Sequence, residues 1–187
     1  LYFGAEAEVW RGTWMGQAAV RKQRRLRSWR HPDLDDRLGR RRMLAEARLM
    51  VRLYKSGLNI PVLYDCDIKE QQLVMSNVPG KPLIELLNDD SIDDVTMMKH
   101  LQSSGYSIRM LHRQAIVHGD LSTNNIMITP SGEAVLIDFG LAKIEFETEL
   151  YGIDLHVLFE ILGASHPHRE GAMEAVLQGY KQCEQDL

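Results

Sequence analysis

Ile116-Val117-His118-Gly119-Asp120-Leu121-Ser122-Thr123-Asn124-Asn125-Ile126-Met127-Ile128 carries the polar groups around which this 187-residue chain is organised. Asp120 follows a short apolar run, and Asn125 comes five residues later. Leu136-Ile137-Asp138-Phe139-Gly140 adds a second carboxylate thirteen residues past Asn125. Between them Thr129-Pro130-Ser131-Gly132-Glu133 reads as a turn joining apolar strands at 126–128 and 134–137, which would bring Asp138 back beside Asn125. A carboxylate and an amide oxygen suit magnesium, which takes hard oxygen ligands and fills its remaining positions with water and phosphate oxygens. Asp138 and Asn125 are therefore the expected metal ligands. Asp120 is the group expected to orient or deprotonate the hydroxyl or water that attacks a terminal phosphate. Asp and Asn also cap turns routinely; the order of the two motifs, with a hairpin between, argues for chemistry.

The composition is that of an ordinary globular protein, 44% apolar and 26% charged. No apolar run approaches the roughly eighteen residues of a membrane span, and no signal-peptide pattern is present, so a non-membrane, intracellular protein is expected. Cys66 and Cys183 show no metal-ligand spacing and predict neither a disulfide framework nor a zinc site. The net charge of −4 hides an asymmetry. Residues 21–48 hold eleven Lys and Arg against four acids, whereas the remainder holds eleven against twenty-two. Such a block either binds phosphates or nucleic acid, or forms a solvated helix face.

Leu1-Tyr2-Phe3 resembles the remnant of a protease-cleavable tag and is given no fold role. Strands are expected over 4–10 and 13–14, turning at Arg11-Gly12, with a third over 17–22. Gly4 and Val9 fit the second glycine and the valine of a G-x-G-x-x-G-x-V phosphate loop, with Ala7 in place of the third glycine. Lys22 ends Ala18-Ala19-Val20-Arg21-Lys22, the position from which a strand lysine reaches nucleotide phosphates. A helix is predicted from Leu34 to Ser56, with Gly57 ending it. Glu46, its only acid beyond Asp36, is the expected ion-pair partner of Lys22. Strands follow near 62–65 and 72–75, with Met75 expected to line the cavity behind an adenine. Ser76-Asn77-Val78-Pro79-Gly80 breaks the pattern, a boundary whose backbone, at Ser76 and Val78, could bind the adenine edge. The expected domains are 1–77 and 78–187. Helices are predicted over 82–87, 92–113, 154–162 and about 169–185. Asp154 could cap its helix or accept from backbone N–H groups of the 118–120 loop, the second being preferred. His166 and His168 read as a surface turn.

These features resemble the protein kinase superfamily. The Asp120 to Asn125 spacing is that of a kinase catalytic loop, and Asp138-Phe139-Gly140 matches its metal-binding motif. They resemble more closely a small atypical branch, the PRPK-type Ser/Thr kinase and ATPase subunit of the KEOPS tRNA-modification complex. That likeness rests on the run from Arg30-His31-Pro32 through Leu38-Gly39-Arg40-Arg41-Arg42 to Glu46-Ala47-Arg48, with Asp154-Leu155-His156-Val157-Leu158 and His166-Pro167. The resemblance implies an α+β, miniature two-lobed kinase-like fold: a small antiparallel sheet plus one helix in the amino-terminal lobe, and a mainly helical carboxy-terminal lobe. It implies ATP and Mg as cofactors, with ATP hydrolysis supporting threonylcarbamoyl modification of adenosine in tRNA. It further implies a Kae-type subunit at the second lobe, a small subunit at the first, tRNA as a partner, and a place in cytoplasm and nucleus. Gly119 replaces the arginine of H-R-D, and no A-P-E follows, so switching by a phosphorylated loop and docking of a peptide substrate are not expected. Two other readings stay open: a nucleotide-binding scaffold with little turnover, and a small-molecule kinase, which also uses H-G-D.

Overall fold

A computed structural model describes residues 2–3, 7–25, 29 and 31–182. Gly4, the proposed phosphate-loop glycine, lies outside the described residues, as does Cys183. The chain is α+β and divides into two compact units, Leu1–Gly57 with Pro61–Asn77, and Leu58–Ile60 with Val78–Leu187.

The first unit is an antiparallel five-stranded sheet in the order β1-β2-β3-β5-β4, with one helix. Its strands are β1 (Tyr2–Phe3), β2 (Ala7–Trp14), β3 (Gln17–Arg24), β4 (Leu63–Asp67) and β5 (Gln72–Ser76). The turn expected at Arg11-Gly12 does not occur, because β2 runs unbroken through both residues. The chain reverses instead at Met15-Gly16, where φ is +48° and +81°. Positive φ at both central residues matches the twist of the flanking strands, which is why two-residue hairpins favour it. Tyr2 and Phe3, expected to have no fold role, pair with Val9 and Glu8 and extend the sheet.

Helix α1 (Pro32–Lys55) has proline in its first turn, Asp33 and Asp35 near its amino end, and Arg52 and Lys55 in its last turn. Each choice suits the missing N–H bonds or the helix dipole. Gly57, at φ +82°, turns the chain out of the helix. Met43 and Ala47 of α1 pack on Leu73 of β5, with Leu63, Cys66 and Met75 around them.

The second unit is mainly helical: α2 (Leu83–Leu87), α3 (Asp94–Arg113), α4 (Thr148–Ser165) and α5 (Ala172–Gln182). Short strands β6 (Lys81–Pro82), β8 (Ile126–Ile128) and β9 (Ala134–Leu136) form one sheet, and β7 (Ile116–Val117) pairs with β10 (Lys143–Ile144). Asp93 caps α3 by accepting from Thr96 N at 2.9 Å. Helix α4 starts six residues before the expected Asp154, so Asp154 sits inside it and caps nothing. His166, read as a surface residue, is buried at 2% exposure. The cause lies beside it: Arg169 donates to Leu87 O at 3.1 Å and to Asp89 O at 2.8 Å, pulling the 166–169 turn against the α2–α3 connection.

Helices α3 and α5 meet through Gly105 and Gly179. A Cβ on Gly179 would lie 1.8 Å from Gln102 O, and one on Gly105 would lie 1.9 Å from Val176 O. Helix propensity alone would make Gly179→Ala stabilising by about 1 kcal/mol. Backbone overpacking costs more, about 1–3 kcal/mol. Gly179→Ala is therefore expected to lower the urea unfolding midpoint, and a rise would show that α3 and α5 are not in this contact.

Candidate functional site

The polar constellation of the second unit is built by one hairpin. Ile126, Met127 and Ile128 pair with Leu136, Val135 and Ala134, and Ile137 N donates to Asn125 O at 3.0 Å. All six strand residues are buried, so this register is fixed by the core. Asn125 and Asp138 consequently sit at the hairpin's open end on neighbouring chain segments. Asn125 Nδ2 donates to Asp120 O at 2.8 Å and to Asp120 Oδ2 at 3.0 Å. With Nδ2 so used, Oδ1 is the Asn125 atom available to a cation. Asp138 is exposed and left-handed at φ +62°, a conformation that Asp tolerates better than most side chains. Its Oδ1 accepts from Gly140 N at 3.3 Å.

Among the described residues, no three His, Cys, Asp or Glu side chains converge as a metal cage. One exposed carboxylate, that of Asp138, and one amide oxygen, Asn125 Oδ1, fit an ion that takes its other ligands from phosphate and water, which is the habit of magnesium.

The loop bearing Asp120 is held from below by Asp154. This carboxylate, 2% exposed, accepts from His118 N at 2.6 Å, Gly119 N at 2.9 Å and His112 Nε2 at 3.1 Å. Burial alone would raise its pKa, but the bonds from His112 and the two backbone amides outweigh it and hold it below the ordinary carboxylate value. The preferred sequence reading of Asp154, as a receiver of loop N–H groups, is the one realised. Gly119 is needed for this geometry: its φ is +77°, and a Cβ there would lie 2.6 Å from Leu141 O. An arginine at this position would be both strained and obstructed. His118 is fully buried and reaches Ile137 O at 3.0 Å through Nε2, tying the loop to the segment that leads into Asp138. Since a carbonyl only accepts, Nε2 carries the proton. Desolvation lowers the His118 pKa and keeps the ring neutral.

His112 and Tyr180 escaped the sequence reading. The His112 ring stacks on Tyr151 at 4.8 Å, and Tyr180 Oη lies 2.8 Å from its Nδ1. Their only linear signal was a histidine on the apolar side of the predicted 92–113 helix.

In the first unit, Lys22 Nζ lies 2.7 Å from Glu46 Oε1, so the expected ion pair is formed. Both side chains are mostly buried, at 16% and 7% exposure. Lys22 is set by its pairing with Val9 and Leu73, and Glu46 by the face of α1 that packs on the sheet. Met75 packs on the Met43, Ala47 and Leu73 cluster. Ser76 exchanges bonds with Val62: its N donates to Val62 O at 2.8 Å and its Oγ accepts from Val62 N at 2.9 Å. Val78 begins the longer segment of the second unit and is half-buried, and its N–H has no partner among the described residues.

Residues 16–146 match the RIO domain. A mouse protein, EKC/KEOPS complex subunit Tp53rkb, is 37% identical over 95% of this chain and 75% of its own length. The KEOPS complex subunit Bud32 of Pyrococcus abyssi is 36% identical over 85% of this chain and 71% of its own. The chain belongs to the RIO-domain family, in its Bud32 branch. A probable bifunctional tRNA threonylcarbamoyladenosine biosynthesis protein of Methanothermobacter thermautotrophicus is 36% identical over 95% of this chain, which spans 32% of that longer protein. The RIO domain is kinase-like, and the α+β architecture of this Bud32-branch chain accords with it.

Replacing Asp154 by Asn would turn one carboxylate oxygen into an N–H₂ facing a backbone N–H or the His112 ring. Asp154→Asn is expected to lose about 2–4 kcal/mol of unfolding free energy, measured by urea titration, since buried donors are left unsatisfied. Stability should also depend on pH. Below about pH 6.5 the unfolded chain binds a proton that folded, neutral His118 refuses. Stability present above that value is thus lost as pH falls toward the depressed folded pKa, and desolvation shifts His166 the same way. The His118 Cε1 proton resonance is expected to keep its neutral-ring position at about pH 6, where an unperturbed histidine is mostly protonated.

Proposed function

We propose that this chain is an Mg-ATP-dependent phosphotransferase and ATPase whose ATP hydrolysis supports threonylcarbamoyl modification of adenosine in tRNA, acting as a KEOPS subunit. The supporting observation is the set Asp120, Asn125 and Asp138 on a loop and hairpin pinned by Asp154. Asn125 Oδ1 and the Asp138 carboxylate would hold magnesium, which when bound neutralises charge on the terminal phosphates. Asp120 orients the attacking water or hydroxyl and accepts its proton; its bond from Asn125 Nδ2 keeps the carboxylate aimed and links base to metal ligand. Lys22 grips phosphate oxygens, and Glu46 keeps its ammonium directed. Met75, Ser76, Val78 and Gly4 are assigned to the nucleotide's adenine and phosphate ends. Only residues 141–147 separate Gly140 from α4, which leaves little backbone on which to lay a peptide and favours water as the acceptor.

The relatives' names place them in a multisubunit complex. For this chain we assign a Kae-type threonylcarbamoyltransferase subunit to the second unit, a small subunit to the first, tRNA as the modified substrate, and the cytoplasm and nucleus as compartments.

Phosphate release from Mg-ATP, by the chain alone and with a Kae-type partner and tRNA, tests this reading. Asp120→Asn is expected to lower kcat about 10²-fold or more, as loss of a positioned base does. Asp138→Ala should abolish magnesium-dependent ATP binding. Turnover that survives both substitutions would refute the assignment, and ATP binding without release in every mixture would establish a nucleotide-sensing scaffold instead.

A further inference from the structure

Helix α1 presents two opposite electrostatic faces. Glu46 points into the first unit and is consumed by Lys22. On the other side Arg37, Arg41, Arg48, Arg52 and Lys55 are all exposed. At 3.6 residues per turn these five fall within a sector of about 60°, with Glu46 about 180° from Arg37. At 1.5 Å per residue they span about 27 Å along one straight edge. A solvated helix face normally alternates acids with bases at i,i+4. This one does so only near its start, where Asp33 stands four residues before Arg37 and Asp36 pairs with Arg40 at 2.9 Å; beyond Asp36 the helix has no acid except the buried Glu46. Among the described residues Arg37, Arg41, Arg48 and Lys55 make no ion pair. Like charges thus stand at i,i+4 in Arg37 and Arg41, a repulsive arrangement in isolation.

We infer that the outer face of α1 is a binding surface for the phosphate backbone of a folded RNA. Arginine dominates the stripe, and its planar fork donates to two phosphate oxygens at once. The stripe is long enough to touch several consecutive phosphates. The surroundings add selectivity, since the sequence outside residues 21–48 carries twice as many acids as bases and repels a polyanion elsewhere. Contacts of this kind position an RNA without reading its bases. The reading of this chain as a tRNA-modification subunit supplies only the choice of probe.

The test titrates a fluorescently labelled tRNA transcript with the full chain at several salt concentrations. The variant is Arg37→Gln/Arg41→Gln/Arg48→Gln, with Lys69→Gln/Lys99→Gln, two exposed lysines elsewhere, as control. Each phosphate contact contributes about 0.7–0.9 to the slope of log affinity against log salt. The triple variant is expected to bind at least about tenfold more weakly at low salt, with a slope shallower by about two, while the control keeps both values. Affinity and slope unchanged in the triple variant would overturn the inference. So would displacement of the RNA by an acidic peptide of equal charge at matching concentration, which would assign the face to an acidic protein. Mg-ATP binding is measured on the same variant: because Glu46 lies on the opposite face, RNA affinity should fall while nucleotide affinity stays. Wild-type chain that binds RNA through the stripe but no nucleotide would refute the ATPase reading and leave this one standing.

Discussion

One buried carboxylate holds the loop that carries Asp120 in the second unit. Asp154 receives the backbone N–H groups of His118 and Gly119 and the ring of His112, so the loop's conformation is set by a charge placed in the interior by α4. Burying a carboxylate is costly unless its lone pairs are filled, and here three donors fill them. The same bonds force Gly119 into a left-handed conformation against Leu141 O, which excludes any side chain. The glycine at 119 is thus a packing consequence as well as a departure from the general kinase pattern.

From that anchor the geometry propagates outward. His118 joins the loop to Ile137, the β8–β9 hairpin returns Asp138 to the neighbourhood of Asn125, and Asn125 bridges back to Asp120. Each link is a hydrogen bond to a backbone atom or to a partner fixed by one, so the three polar side chains share one rigid frame. The first unit follows the same logic with different means. Lys22 and Glu46 meet because a strand and a helix pack through Met43, Ala47 and Leu73, and the apolar contact sets the register of the ionic one. A buried pair of this kind contributes more to orientation than to stability.

Helix α1 shows how one element serves two tasks. Its inner face delivers Glu46 to Lys22, while its outer face carries Arg37, Arg41, Arg48, Arg52 and Lys55 over about five turns. A period of 3.6 residues keeps those tasks apart with no loop or insertion between them.

The site was legible in the sequence wherever chemistry and spacing coincide within a short stretch. Asp120, Asn125 and Asp138 declare themselves because a turn of fixed length between two apolar strands brings distant positions together. Lys22 and Glu46 were legible because one strand lysine faced one helix acid in a run of arginines. The fold class followed from the same periodicities, and the helix of the first unit was read to within two residues at its start. Sequence misplaced the first hairpin turn, since Arg11-Gly12 and Met15-Gly16 are both plausible breaks and only the pairing of β2 with β3, and of β3 with β5, chooses between them. It likewise missed Tyr2–Phe3, whose strand character comes from the neighbour it pairs with. The burial of His166, the chain from Tyr180 through His112 to Asp154, and the steric demand for glycine at 119 belong to tertiary structure alone. Each arises from groups brought together across tens of residues, and no local pattern encodes such contacts, because their energy exists only once both partners have lost water and found each other.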